Sequence, residues 1–220
     1  MNISLFAVAG PIMIGPSSSH TAGAARLARI AAIISALPFY HVSFGLHGSF
    51  ARTYKGHGTD RALVAGTLGF REDDERLAKA FEIAGECNIG YDFYQTELDG
   101  LHENSVVITF SHTDGSKCEV VGSSVGGGQI VIRRINGFAI ECSVLMPTLV
   151  AFLEDRMGVV GEITHTLAGE GINIGSMKVS RQSKGETACC VIETDEDISD
   201  AVVARVSAIP GVISATSIYV

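Results

Sequence analysis

Residues 148–220 carry an order of hydrophobic periods that few folds accept. Apolar side chains alternate over 149–154, recur at three- and four-residue spacing over 159–169, and alternate again over 172–180 and 186–194. The helical period returns over 197–207, and 212–219 reads as a last strand. Strand, helix, strand, strand, helix, strand is the βαββαβ order of two split βαβ units, which closes as an antiparallel sheet with both helices on one face.

The pattern upstream is mixed. Leu27, Ile30, Ile34 and Leu37 recur at helical spacing from Ala22 onward, and Pro38 stops the run. Val42, Phe44 and Leu46 then alternate as a strand does, the Gly-rich stretch SFARTYKGHG connects, and a second helix is expected to begin near Thr59-Asp60. Strands are expected at 106–110, 117–125, 129–135 and 138–144, with turns at Asp114-Gly115 and Asn136-Gly137. The expected fold class is therefore α/β (α+β). A mixed α/β domain would span 1–146, and a ferredoxin-like βαββαβ domain 148–220.

Charge and hydropathy exclude several kinds of function. Apolar residues make up 46% of the chain against 18% charged, enough for packed cores. The net charge of −8, without a Lys/Arg cluster, disfavours nucleic acid as a partner. The N-terminal MNISLFAVAGPIMIG lacks a basic n-region and breaks at Gly10-Pro11, so it does not read as a signal peptide. The apolar run from Ile30 to Leu37 is far below the ~20 residues of a membrane span, so no membrane is expected. Five cysteines without CxxC spacing give neither a disulfide framework nor a self-contained metal site, and a cytoplasmic setting fits them best.

Chemistry concentrates at two helix starts. Ser17, Ser18, Ser19, His20 and Thr21 bring four hydroxyls and an imidazole to the point where unpaired backbone N–H groups favour an anion such as a carboxylate. The alternative is that Ser19 or Thr21 only caps the helix. A Ser–His nucleophile would need a GxSxG elbow or an orienting acid, and neither is nearby. Lys55-Gly56-His57-Gly58-Thr59-Asp60 repeats the device, with an imidazole held between glycines before a helix. Ser123 to Gly128 is a third Gly-rich element, either an anion cradle or a turn between strands.

GPSSSHTAGAARLA, the following GHGTD and the later SVGGGQIVI resemble the beta-chain signature of iron–sulfur L-serine dehydratases over the first two thirds of the chain, and the remainder resembles an ACT domain. The resemblance implies an allosteric-substrate-binding-like fold for the first domain. It also implies a lyase that converts L-serine to pyruvate and ammonia, with a [4Fe-4S] cluster acting as Lewis acid on the substrate hydroxyl. The cluster ligands are expected on an alpha chain, the partner without which this chain would be inactive, and no metal ligand is expected here. His20 and His57 become catalytic candidates, and Ser17, Ser18, Ser19, Thr21, Gly56 and Thr59 substrate-binding candidates, facing the alpha chain.

ACT domains bind amino acids between the first strand–helix junction and the start of the second strand. Asp155, Gly158, Val159, Asn173 and Ile174 are therefore the candidates for a regulatory ligand, L-serine or a related amino acid. Asp155 would take the ammonium, Asn173 would donate and accept, and the amides near Gly158 and Val159 would take the carboxylate. A helix cap at Asp155 and a turn at Asn173 are the alternatives, and Met157 stands where many ACT domains carry proline. Exposed sheet edges make homodimerisation through the ACT domains an expectation. Two rival readings are weaker. The regulatory half of some D-3-phosphoglycerate dehydrogenases has a similar domain pairing but lacks GPSSSHT and GHGTD, and a transcriptional sensor would need a basic helix-turn-helix segment.

Overall fold

A computed structural model describes residues 12–219, so most of the segment on which the argument about a leader rests, residues 1–11 of 1–15, lies outside the described residues. The chain divides into two compact units, Met1–Asn136 and Gly137–Val220.

In the first unit a wide turn over Ser18–Gly23 leads into α1 (Ala24–Ser35). There follow β1 (Phe39–Leu46), α2 (Gly48–Thr53), α3 (Thr59–Thr67), α4 (Ala80–Glu86) and β2 (Gly90–Gln95). Three more strands complete the unit, β3 (Ser105–His112), β4 (Lys117–Gly126) and β5 (Gln129–Ile135). Their sheet runs β2-β1-β3-β4-β5, with β1 and β2 parallel and the other pairs antiparallel. The parallel pair requires a crossover, which α2, α3 and α4 supply.

One sheet face is the core. Val42, Phe44 and Leu46 of β1 stand opposite Phe110, Ile108 and Val106 of β3, and all six are buried. Leu27, Ile30 and Ile34 of α1 are buried as well, which the three- and four-residue spacing requires of a helix laid on a sheet. Three elements were not anticipated from the sequence, α2, α4 and β2. The six residues of α2 are too few to display a helical period, and β2 is an edge strand whose residues are all partly or fully exposed.

The helices α1 and α3 approach each other closely. A methyl group at Gly66 would lie 2.2 Å from the carbonyl oxygen of Ala25 and 2.7 Å from the Ala28 side chain. Glycine is required there by contact with main chain, which cannot swing aside as a side chain would.

The second unit opens with β6 (Phe138–Cys142), followed by β7 (Thr148–Glu154), α5 (Val159–Gly169), β8 (Ile174–Arg181), β9 (Thr187–Thr194), α6 (Asp200–Ser207) and β10 (Val212–Ile218). From β7 onward the order is βαββαβ, and the sheet β10-β7-β9-β8 is antiparallel throughout, the ferredoxin-like arrangement. Leu149, Ala151, Leu153, Cys190 and Ile192 pack with Val159, Ile163 and Leu167 of α5 and Val202 and Val206 of α6. On β6, Phe138 meets Phe152 of β7 with ring centres 5.9 Å apart, and Ser180 donates to the Ala139 carbonyl.

Gly66→Ala decides between two effects of opposite sign. Helix propensity would favour alanine by about 1 kcal/mol, whereas overpacking costs ~1–3 kcal/mol and here meets a carbonyl at 2.2 Å. The expected outcome is a net loss of stability of roughly 1–2 kcal/mol, read as a lower urea midpoint with unchanged slope.

Candidate functional site

The Ser17–Thr21 segment does more than cap a helix. Ser17 is extended, and its Oγ accepts from the His20 amide at 3.1 Å. The Thr21 and Ala22 amides both donate to the Ser17 carbonyl, at 2.9 and 3.3 Å. The second of these bonds spans five residues. It makes a π-type turn, a form that often occurs at functional sites. Ser18 begins that turn and is half-buried.

His20 is where the candidates converge. Its Nδ1 lies 3.2 Å from Ser19 Oγ, and Ser19 Oγ is 3.4 Å from Ser17 Oγ. The His57 ring stands 4.8 Å away between centroids, tilted by 45°. The two loops are tied directly, because Thr21 Oγ1 donates to the His57 carbonyl at 3.0 Å. Gly56 and His57 form part of an open depression of about 380 Å³ lined also by Arg52, Thr53, Tyr54 and Lys55. Thr59 begins α3, its amide donating to the Tyr54 carbonyl. The residue is fully buried, and its hydroxyl has no hydrogen-bond partner among the described residues.

The sequence reading missed two contributors. His20 Nε2 lies 3.1 Å from Ser49 Oγ, and the Phe50 ring meets the imidazole edge-on at 5.3 Å. Both sit in α2, whose one visible signal is a Gly-Ser pair before an aromatic. The third Gly-rich element is a hairpin turn, β4 running to Gly126 and β5 starting at Gln129. It still reaches the site: Ser124 Oγ is buried with no hydrogen-bond partner among the described residues, and packs so closely on Gly23 that a methyl there would lie 2.0 Å away.

Burial first, and His57 second, hold the His20 imidazole below its ordinary 6.5. A neutral imidazole offers one N–H and one lone pair, so it can donate to one serine hydroxyl, accept from the other, and take up a proton. Cysteine chemistry is disfavoured. Burial pushes the thiols of Cys118, Cys142 and Cys190 up to about 11 and that of Cys189 to about 12, while Cys87 is exposed. Among the described residues no three His, Cys, Asp or Glu side chains gather as a metal site. This chain's residues therefore do not fit an iron–sulfur cluster, whose ligands are thiolates.

In the second unit the regulatory candidates separate into two groups. Asp155 Oδ2 accepts from Arg181 Nη1 and from the Gly185 amide, both at 2.9 Å, so it anchors the β8–β9 turn. Those two donors hold its carboxyl below the ordinary carboxylate value, the amide foremost. Gly158 precedes α5 with φ +93°, and the Val159 side chain is buried in the core. Asn173 and Ile174 instead border an open depression of about 460 Å³ with Gly161, Thr164, His165, Ala168 and Ile172. Asn173 Nδ2 donates to Asp195 at 2.6 Å and its amide to Glu196 at 2.7 Å.

Fold and site together define a class: a mixed α/β domain that gathers hydroxyls and two imidazoles at converging helix starts, joined to a ferredoxin-like βαββαβ module. The serine dehydratase beta chain family matches residues 4–134 and the ACT domain family residues 148–211. The chain belongs to the serine dehydratase beta-chain family and ends in an ACT domain. It is 43% identical over 198 residues to the L-serine dehydratase beta chain of Peptoniphilus asaccharolyticus, covering 90% of this chain and 89% of that one. A probable L-serine dehydratase beta chain of Bacillus subtilis is 40% identical over 215 residues, 98% of this chain and 97% of its own length. D-3-phosphoglycerate dehydrogenase of Bacillus subtilis is 25% identical over 178 residues, 80% of this chain but 34% of the enzyme.

Because the folded state lowers the His20 pKa, this group's contribution to stability is complete above 6.5 and is lost as pH falls from there toward the lowered value. In an NMR titration of labelled histidine, the His20 midpoint is expected below that of a free imidazole. His57→Gln is expected to raise it only part of the way, since burial, the larger cause, remains. A midpoint at or above 6.5 in the parent chain would contradict the assignment.

Proposed function

We propose that this chain is the beta subunit of an L-serine ammonia-lyase, completing with an alpha chain the pocket in which serine becomes pyruvate and ammonia. The observation that carries the reading is the pairing of His20 with His57 at 4.8 Å inside a shell of hydroxyls, in a chain of the dehydratase beta family. Serine loses its α-proton and its β-hydroxyl, and the enamine left behind tautomerises to an imine. Hydrolysis of the imine consumes one water, equal to the one lost in the elimination, and releases ammonia.

This chain's residues serve binding and proton transfer. The hydroxyls of Ser17, Ser18 and Ser19, with the first amides of the turn they begin, suit the substrate carboxylate, while Thr21, whose Oγ1 already donates to the His57 carbonyl, holds the two loops together beside it. The depression beside Gly56 and the start of α3 at Thr59 would border the same substrate. His20, neutral near pH 7, and His57 are the groups suited to hold or move a proton. The [4Fe-4S] cluster, which would supply a Lewis acid for the departing hydroxyl, is assigned to the alpha chain. The assembly would work in the cytoplasm, and among the described residues no helix is long and apolar enough to cross a membrane.

The ACT domain is read as a sensor for serine or a close analogue, bound in the depression beside Asn173 and Ile174 instead of at Asp155. Pairing of two ACT domains would use β8. It is an edge strand whose Met177 and Val179 are 46% and 44% exposed. They stand opposite Ile192 and Cys190, and so share the face on which the core is built.

Two measurements test this reading. Purified alone, the chain is expected to be iron-poor and inactive, and co-expression with an alpha chain is expected to give anaerobic serine deamination; stoichiometric iron and turnover in the single chain would overturn the division of labour. Serine at about 100 times its dissociation constant is expected to stabilise the chain by roughly 2.7 kcal/mol, read as a rise in melting temperature. Asn173→Ala is expected to weaken that rise and leave the unliganded melting point nearly unchanged, because the bond it removes, to Asp195, is exposed. Silence across a full set of amino acids would leave the domain as an assembly element.

A further inference from the structure

We infer that Ser49 is a positioning residue of the site, one that sets the ring angle and tautomer of His20. The inference rests on the dehydratase reading above and names a residue that reading does not contain.

Three observations carry it. First, both His20 ring nitrogens face serine hydroxyls, Nδ1 with Ser19 Oγ at 3.2 Å and Nε2 with Ser49 Oγ at 3.1 Å. A neutral ring donates from one nitrogen only, so the two serines take opposite roles and together fix where the proton sits. Second, the two serines differ in independence. Ser19 is the ring's own sequence neighbour and moves with it, whereas Ser49 belongs to another element and is an external reference.

Third, Ser49 is itself held rigidly. Its amide donates to the Glu103 carbonyl at 2.8 Å, and its own carbonyl accepts from Thr53 Oγ1 at 2.8 Å. Gly48 before it has φ +55°, and a side chain there would lie 2.7 Å from the Glu103 carbonyl oxygen. That conformation and that proximity both demand glycine, so the Gly-Ser pair is built to present this hydroxyl. Phe50, next in sequence and fully buried, closes the ring's other approach edge-on at 5.3 Å.

A purely structural serine at the start of α2 would behave differently from a positioning one. The test uses the assembled two-chain enzyme and a double-mutant cycle between Ser49 and His20. Ser49→Ala is expected to lower kcat on the order of 10-fold, less than the ~10²-fold expected for His20→Ala, with KM little changed and the acid limb of the pH profile displaced. Ser49→Thr, which keeps the hydroxyl, is expected to restore most of the rate. In the His20→Ala background the Ser49→Ala loss is expected to vanish.

A loss that is equal in both backgrounds, an unchanged kcat, or no recovery with threonine would overturn the proposal. A second readout separates its failure from that of the dehydratase reading. In the chain alone, Ser49→Ala is expected to shift the 15N resonances and titration midpoint of His20; if both stay put, the contact is inert and the proposal fails whatever the enzyme does. If instead His20→Ala leaves turnover unaltered, the catalytic reading of His20 fails, and the role of Ser49 in the reaction with it.

Discussion

The approach of α1 to α3 is the constraint on which the site depends. Gly66 lets the backbones meet at Ala25 and Ala28, and both helices begin at chemically loaded loops, α1 after Ser17–Gly23 and α3 after Gly56–Gly58. Neither loop could hold its imidazole in place alone, since each is short and half-exposed. Crossing the helices closely brings the loops within reach of a hydrogen bond, Thr21 to the His57 carbonyl, and of a ring contact between the two histidines. The distance between the candidate proton-transfer groups is thus fixed by an apolar contact between helices, and the polar contacts refine it.

Two buried hydroxyls show what that arrangement costs. Thr59 and Ser124 are fully buried, with oxygens that find no partner among the described residues. A buried hydroxyl that neither protein nor water partners costs about 1–3 kcal/mol. Both lie beside the candidate site, Thr59 at the start of α3 and Ser124 against Gly23 of the π-type turn. Natural proteins tolerate such local conflicts chiefly at functional sites, which fits a region shaped for a ligand in preference to maximal stability.

Much of this was legible in the sequence because it rests on local rules. Periodicity locates α1, β1, the start of α3 and all six elements of the ferredoxin-like unit, and the hydroxyl–imidazole clusters mark their own loops. What escaped depends on distant partners. Ser49 is invisible because its meaning comes from His20, 29 residues away in the chain. The α2 helix is too short for a period to declare itself, and β2 alternates only weakly because it lies at a sheet edge.

Asp155 illustrates the same limit in the opposite direction. As a sequence feature it stands at the strand–helix junction where an ammonium-binding carboxylate belongs, yet its charge is already matched. Arg181 and the Gly185 amide arrive with the β8–β9 hairpin, 26 and 30 residues further on, and the guanidinium meets it at 2.9 Å. A carboxylate so engaged would have to give up a charged partner to receive a ligand's ammonium, exchanging one cation for another with little net gain. The depression beside Asn173 offers different chemistry, with the Thr164 and His165 side chains along one wall. It is also open. Met177 and Val179 are exposed along β8, the strand that begins at Ile174 on the rim of that depression; if ACT domains pair there as proposed above, a second copy laid along this edge would cover the depression, and ligand affinity would then depend on pairing as much as on the residues of either copy.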